Sequence, residues 1–168
     1  MNTADLNDSF LDALDLQLLN ALQQDAGQGH NDLARQLGVS PATVLRRTRR
    51  LEVAGVIERR VALLQPERLA ACLGHGLSAV VEVSLDRQGQ EHQQAFETAA
   101  VAETAVQQCY RVSPGPDFVL VVAVRDMPAY QALCERLFTQ QANVRHVRAF
   151  FSVRRAKFHP QLPLPSPT

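Results

Sequence analysis

Apolar positions follow two different patterns along this chain. Up to residue 57 they recur at helical spacing, and beyond residue 77 they alternate or run on without interruption in short blocks. Leu11, Leu14, Leu18, Leu19 and Leu22, with Ala21 beside them, predict a first helix that Gly27 and Gly29 end. Leu33, Ala34 and Leu37 give the buried face of a second, and Gly38-Val39 makes a bend. Ser40-Pro41 then opens a third helix, since a hydroxyl can accept from an orphan N–H and proline presets the first helical φ; Gly55 closes it. On that third helix Val44, Thr48 and Leu51 share one arc, flanked by Leu45, while Thr43, Arg46, Arg49 and Arg50 fall on the opposite one. Two short strands, 56–57 and 61–64, flanking Glu58-Arg59-Arg60, complete a small wing. Residues 1–9 are polar, acidic and aperiodic, and read as mobile.

Gln65-Pro66-Glu67 breaks the pattern, and one or two helical turns precede Gly74 and Gly76, which marks a hinge. Beyond it, residues 77–85, 105–113, 117–125 and 144–153 read as strands, and 89–101 and 127–141 as helices. The order β-α-β-β-α-β predicts a ferredoxin-like domain, a four-stranded antiparallel sheet with two helices on one face. The fold class is therefore α+β, a winged helix-turn-helix followed by a ferredoxin-like βαββαβ domain. Its divisions are 1–64 for the winged helix-turn-helix domain, 65–76 for the hinge, 77–157 for the ferredoxin-like domain, and 158–168 for a proline-rich tail. Four prolines among the last ten residues exclude helix and central strand there, leaving a disordered or extended appendage.

One strand makes a further demand. Residues 118–124, FVLVVAV, are apolar at every position, so both faces of the strand require cover, yet two helices cover one. A second copy of the sheet, related by twofold symmetry, supplies the other and also presents two third helices to a pseudo-palindromic site; the alternative is that the hinge folds back over the sheet.

Charge sharpens the functional reading. Seventeen Lys and Arg balance seventeen Asp and Glu, so no global field draws the protein to a polyanion and any attraction must be local. The third helix carries Arg46, Arg47, Arg49 and Arg50 against the single acid Glu52, too few opposite charges for a merely solvated face. Such a helix fits the major groove of double-stranded DNA, with Ser40, Thr43 and those four arginines as candidate contacts and Arg59 and Arg60 beside the groove. Cys72, Cys109 and Cys134 are odd in number and far apart, which argues against a disulfide framework. The five histidines include no i, i+4 pair, so no metal or other cofactor is expected. With no export signal and no apolar run of membrane-spanning length, a cytoplasmic location is expected.

Leu11-Asp12-x-x-Asp15, Leu33-Ala34 with Gly38-Val39-Ser40-Pro41, Arg46-Arg47-x-x-Arg50-Leu51-Glu52 with Gly55-Val56-Ile57, and Ala62-Leu63-Leu64-x-Pro66 make the first half resemble the leucine-responsive and asparagine-responsive (Lrp/AsnC, feast/famine) regulators. Cys109-Tyr110-x-Val112-Ser113, Asp126-Met127-x-x-Tyr130 and Val144 extend the resemblance over residues 11–157. The resemblance implies transcription regulation, a C-terminal domain that binds a small effector, commonly an amino acid, and homodimers that assemble to octamers. It also implies an effector site between dimers, near the turn joining the second and third strands of that domain. Carried onto this chain, the site comprises Ser113, Pro114, Gly115, Pro116 and Asp117, with Leu120 and Asp126 at matching positions.

The usual Gly-Asp-aromatic-Asp turn is here Pro114-Gly115-Pro116-Asp117. Two N–H donors and one ammonium partner are lost. The turn then holds no ligand, leaving an effector-independent architectural DNA-binding protein, or takes a less zwitterionic one. A related haem-precursor decarboxylase branch uses a Tyr-x-Arg-x-His type cluster; Tyr110-Arg111-Val112-Ser113 brings no histidine, and no acid–base pair appears elsewhere, so an enzyme is not expected. A helix-turn-helix turned to protein contact would expose a more apolar face than Arg46, Arg49 and Arg50.

Overall fold

The structure, a computed structural model, describes residues 10–74, 76–140 and 143–165. The stretch 1–9, expected to be mobile, lies outside the described residues, as do the Gln141 end of the expected helix 127–141 and the last three residues of the tail. Two units are distinguished: residues up to Leu63 together with those from Phe158 onward, and residues 64–157.

In the first unit, α1 (Ala13–Gln24) opens on a capping box in which the Asp15 N–H donates to Asp12 Oδ1 (2.9 Å) and the Asp12 N–H to Asp15 Oδ2 (3.0 Å). Helix α2 (His30–Leu37) ends at Gly38, whose φ of 67° turns the chain toward α3 (Pro41–Val53). Ser40 caps α3 by accepting from the Thr43 N–H at 3.2 Å. Leu18, Leu33, Val44 and Leu51 are buried together at the centre of the three helices. Leu45, expected to flank this core, is 38% exposed.

The wing strands do not form. The Val56 and Ile57 N–H groups both donate to Leu51 O, and no strand is found among residues 56–64, where Val61, Leu63 and Leu64 are exposed. A hairpin this short has no third strand to lean on, and isolated two-stranded ladders are marginal in water.

The tail takes the extended of its two expected forms, and docks. Leu164 packs against the helical core, the Gln161 Nε2 donates to Gln23 O (3.0 Å), and the Gln23 side-chain amide grips both polar groups of the Leu162 peptide, at 2.7 Å and 3.2 Å. Prolines exclude a ladder, but the residues between them keep enough polar groups to dock an extended chain.

The second unit begins with α4 (Pro66–Leu73), two turns with no buried residue. Strands β1 (Leu77–Leu85), β2 (Val106–Arg111), β3 (Phe118–Val124) and β4 (Val144–Phe151) form an antiparallel sheet in the order β2-β3-β1-β4. Central Val81 pairs with Leu120 on one side and Ala149 on the other. Helices α5 (Gln90–Ala102) and α6 (Met127–Cys134) cover one face, burying Phe96 and Leu133 on Val81, Val83, Phe118, Leu120 and Val122. A wider π-helical turn, Glu135–Thr139, follows α6 in place of the expected regular continuation.

The other face is open in this single chain. Val119, Val121 and Ala123 are half-buried, while Val80, Tyr110 and Phe150 are 41%, 51% and 47% exposed. The hinge fold-back alternative is overturned within this unit, because no residue of α4 is buried.

Candidate nucleic-acid interface and effector turn

The four arginines of α3 divide into two pairs. Arg46 and Arg49 are exposed and make no ion pair among the described residues. Arg47 turns toward α1, where its Nη1 donates to Asp12 Oδ2 (2.7 Å) and to Asp15 Oδ1 (2.8 Å), leaving its side chain 18% exposed. Arg50 donates to Asp15 Oδ2 and lies over the Phe10 ring, 4.8 Å from its centroid. Arg50, expected on the outward arc with Arg46 and Arg49, instead turns to a carboxylate of another helix, as does Arg47. Asp15 is fully buried and flanked by two guanidiniums, which is how a buried charge is tolerated.

This cluster moves proton equilibria. The Arg47 hydrogen bond, with the Asp15 backbone bond behind it, pulls the Asp12 carboxyl from 3.8 down to about 2, and the two carboxylates push the Arg47 guanidinium further up. Sequence reading missed Asp12, Asp15 and Phe10 as the groups that hold α3. The signal was present in the Asp12-x-x-Asp15 spacing, which puts two carboxylates at the head of α1.

Ser40 and Thr43 stand at the N-terminal end of α3, their hydroxyls 2.9 Å apart. Arg60 bonds Glu52, and Arg59 pairs with neighbouring Glu58 at 3.3 Å; both pairs are solvent-exposed and of the kind that exchanges readily for another anion.

The seven effector candidates also divide. Ser113, Pro114 and Gly115 are exposed on the turn between β2 and β3, and Pro116 is half-buried. Asp117 is buried and committed to the sheet: its Oδ2 accepts from the Leu85 N–H at 2.7 Å and its own N–H donates to Val83 O at 2.9 Å. Leu120 is fully buried beneath the helices. Asp126 caps α6, accepting from the Ala129 N–H at 2.9 Å, and takes Arg125 Nε on its other oxygen. Within the single chain these three therefore build the domain. A cleft of about 550 Å³ between α1 and α2 and one of about 410 Å³ between α6 and β4 involve none of the seven.

Among the described residues there is no group of three His, Cys, Asp or Glu side chains placed to hold a metal, and no helix is long and apolar enough to cross a membrane. Burial pushes the half-buried Cys109 thiol up, away from the nucleophilic thiolate.

Residues 11–58 match the winged helix-turn-helix DNA-binding family, and residues 78–162 match the Lrp/AsnC ligand binding domain family. The chain is 33% identical to the leucine-responsive regulatory protein of Escherichia coli over 88% of its own length and 87% of that protein. An AsnC family transcriptional regulator from Agrobacterium tumefaciens superposes with a TM-score of 0.78 at 31% identity, covering 91% of this chain and 97% of that one. A transcriptional regulator from Neisseria meningitidis, solved as a complex with L-Met, gives 0.78 at 26% identity, covering 91% and 96%.

Proposed function

The chain belongs to the Lrp/AsnC family of DNA-binding transcriptional regulators, which are not enzymes, and from that premise we propose that it reads DNA as a homodimer through two copies of α3. Arg46 and Arg49 make the base and phosphate contacts. Ser40 and Thr43 meet the backbone at the head of the helix, and Arg59 and Arg60 exchange their surface carboxylates for phosphates. The observation that carries this assignment is the division of α3: two guanidiniums are spent on Asp12 and Asp15, and the two left over point outward.

The dimer is supported by the open sheet face, where Val80, Val121 and Phe150 expose an apolar surface that a second copy would bury. Assembly beyond the dimer, to an octamer, completes the proposal, with the protein acting on DNA in the cytoplasm. A small effector such as an amino acid controls that assembly at the Ser113–Gly115 edge of the β2–β3 turn; the matched ligand-binding domain and the L-Met complex of the Neisseria regulator support it. Asp117 contributes by tying the end of the turn to β1 through the Leu85 N–H and Val83 O. A second reading, an effector-independent architectural protein, is favoured by Pro114 and Pro116, which leave the turn two N–H donors short.

Mobility shifts of the purified chain on its own upstream DNA, over a panel of amino acids and paired with light scattering, test these readings. Specific laddered shifts that one amino acid alters, with a matching change in mass, are the expected result. Ladders indifferent to every amino acid favour the architectural reading, and an absence of specific shifts contradicts the DNA-binding assignment.

A further inference from the structure

No Asp or Glu follows Glu135 in this chain, yet five Lys and Arg lie between residues 143 and 159. Elsewhere most cations are matched: Arg35, Arg111, Arg125 and Arg136, for example, each meet a carboxylate at 3.2 Å or less. Arg145, Arg154 and Lys157 meet none among the described residues, whereas Arg155 pairs with Glu67 at 3.9 Å. Arg68 and Arg87 are unpaired too, but each stands alone in the sequence.

The strip holding Arg154 and Lys157 is exposed coil, and before it the Ser152 N–H donates to Ser78 O at 2.8 Å at the end of the sheet. Lys157 is the last residue before the chain rejoins the DNA-reading unit at Phe158. Arg154 and Lys157, three positions apart in a stretch with no carboxylate of its own and with no ion pair among the described residues, form the electrostatic footprint of a phosphate contact.

We propose that Arg154 and Lys157 form a second, sequence-independent contact to the DNA backbone, outside the recognition helix. This rests on the reading that α3 binds DNA. Each phosphate neutralised releases counterions, so the strip contributes to affinity on any duplex and to salt dependence, but not to the preference for one sequence.

The test is fluorescence anisotropy across a salt series, on a duplex selected from a random pool and on an unrelated one. Arg154→Ala/Lys157→Ala is expected to weaken both complexes by the same factor, and to reduce the slope of log K against log [salt] by about 0.9 for each lost contact, roughly 2 per protomer. Arg154→Lys/Lys157→Arg restores the slope. An unchanged slope, or a loss confined to the selected duplex, overturns the inference. Arg46→Ala/Arg49→Ala, run in parallel, separates the two claims: if it abolishes sequence preference while the strip variant keeps the wild-type slope, only the strip assignment falls. If the unaltered protein binds no duplex, the α3 reading falls and the strip with it.

Discussion

Asp15 and Arg47, thirty-two residues apart, meet at 2.8 Å between α1 and α3, with the carboxylate fully buried. Removing one partner of a buried pair leaves the other charge uncompensated, which is far more costly than losing a surface bridge. Asp15→Asn, which strands Arg47 and Arg50 together, is expected to lower unfolding free energy by about 3 kcal/mol in urea denaturation. A loss no larger than that of an exposed substitution would show that the cluster does not hold the helix.

Acid should loosen the same joint. The Asp12 carboxyl sits at about 2 in the folded chain against 3.8 when free, so its contribution is complete above about pH 4 and is lost as pH falls toward 2. Its side chain is 54% exposed, so solvent screening limits the effect to less than about 1 kcal/mol. Asp12→Asn should flatten this part of the stability-against-pH curve; a curve that keeps the wild-type fall would assign the dependence to other groups.

Thr48 lies on the buried arc of α3, and its hydroxyl has no hydrogen-bond partner among the described residues. An orphaned buried polar group carries a desolvation cost that a methyl of the same shape avoids. Thr48→Val is expected to raise stability by about 1 kcal/mol, read as a higher thermal midpoint. A lower midpoint would mean that the hydroxyl is satisfied in solution.

Gln23→Ala removes both amide bonds to Leu162 and should speed hydrogen exchange at the Leu162 N–H, with a stability loss of about 1 kcal/mol. Unchanged exchange would show that the docked tail does not depend on this clamp.

These sites also mark what the sequence could and could not disclose. The helical core was legible because apolar residues recur at helical spacing within each of the three helices that supply Leu18, Leu33, Val44 and Leu51, and the succession of strands and helices because each apolar block is bounded by turn residues. The destinations of Arg47 and Arg50 were not, since counting acids along one helix ignores a carboxylate on another more than thirty residues earlier. The role of Asp117 was hidden similarly: it looked like a ligand residue by position, while the Leu85 N–H it caps belongs to a distant strand. The docking of the tail was not legible either, because proline content excludes regular structure but says nothing about docking by Gln161, Leu162 and Leu164.

The proposed division of the α3 arginines between fold and DNA is tested by the affinity of folded Arg46→Ala and Arg49→Ala proteins for a selected duplex. Both side chains are exposed and make no ion pair among the described residues, so stability should stay within about 0.5 kcal/mol of wild type. A lost base contact should cost about 1–3 kcal/mol, roughly 5- to 150-fold in affinity. Wild-type affinity in both stable variants would contradict the account.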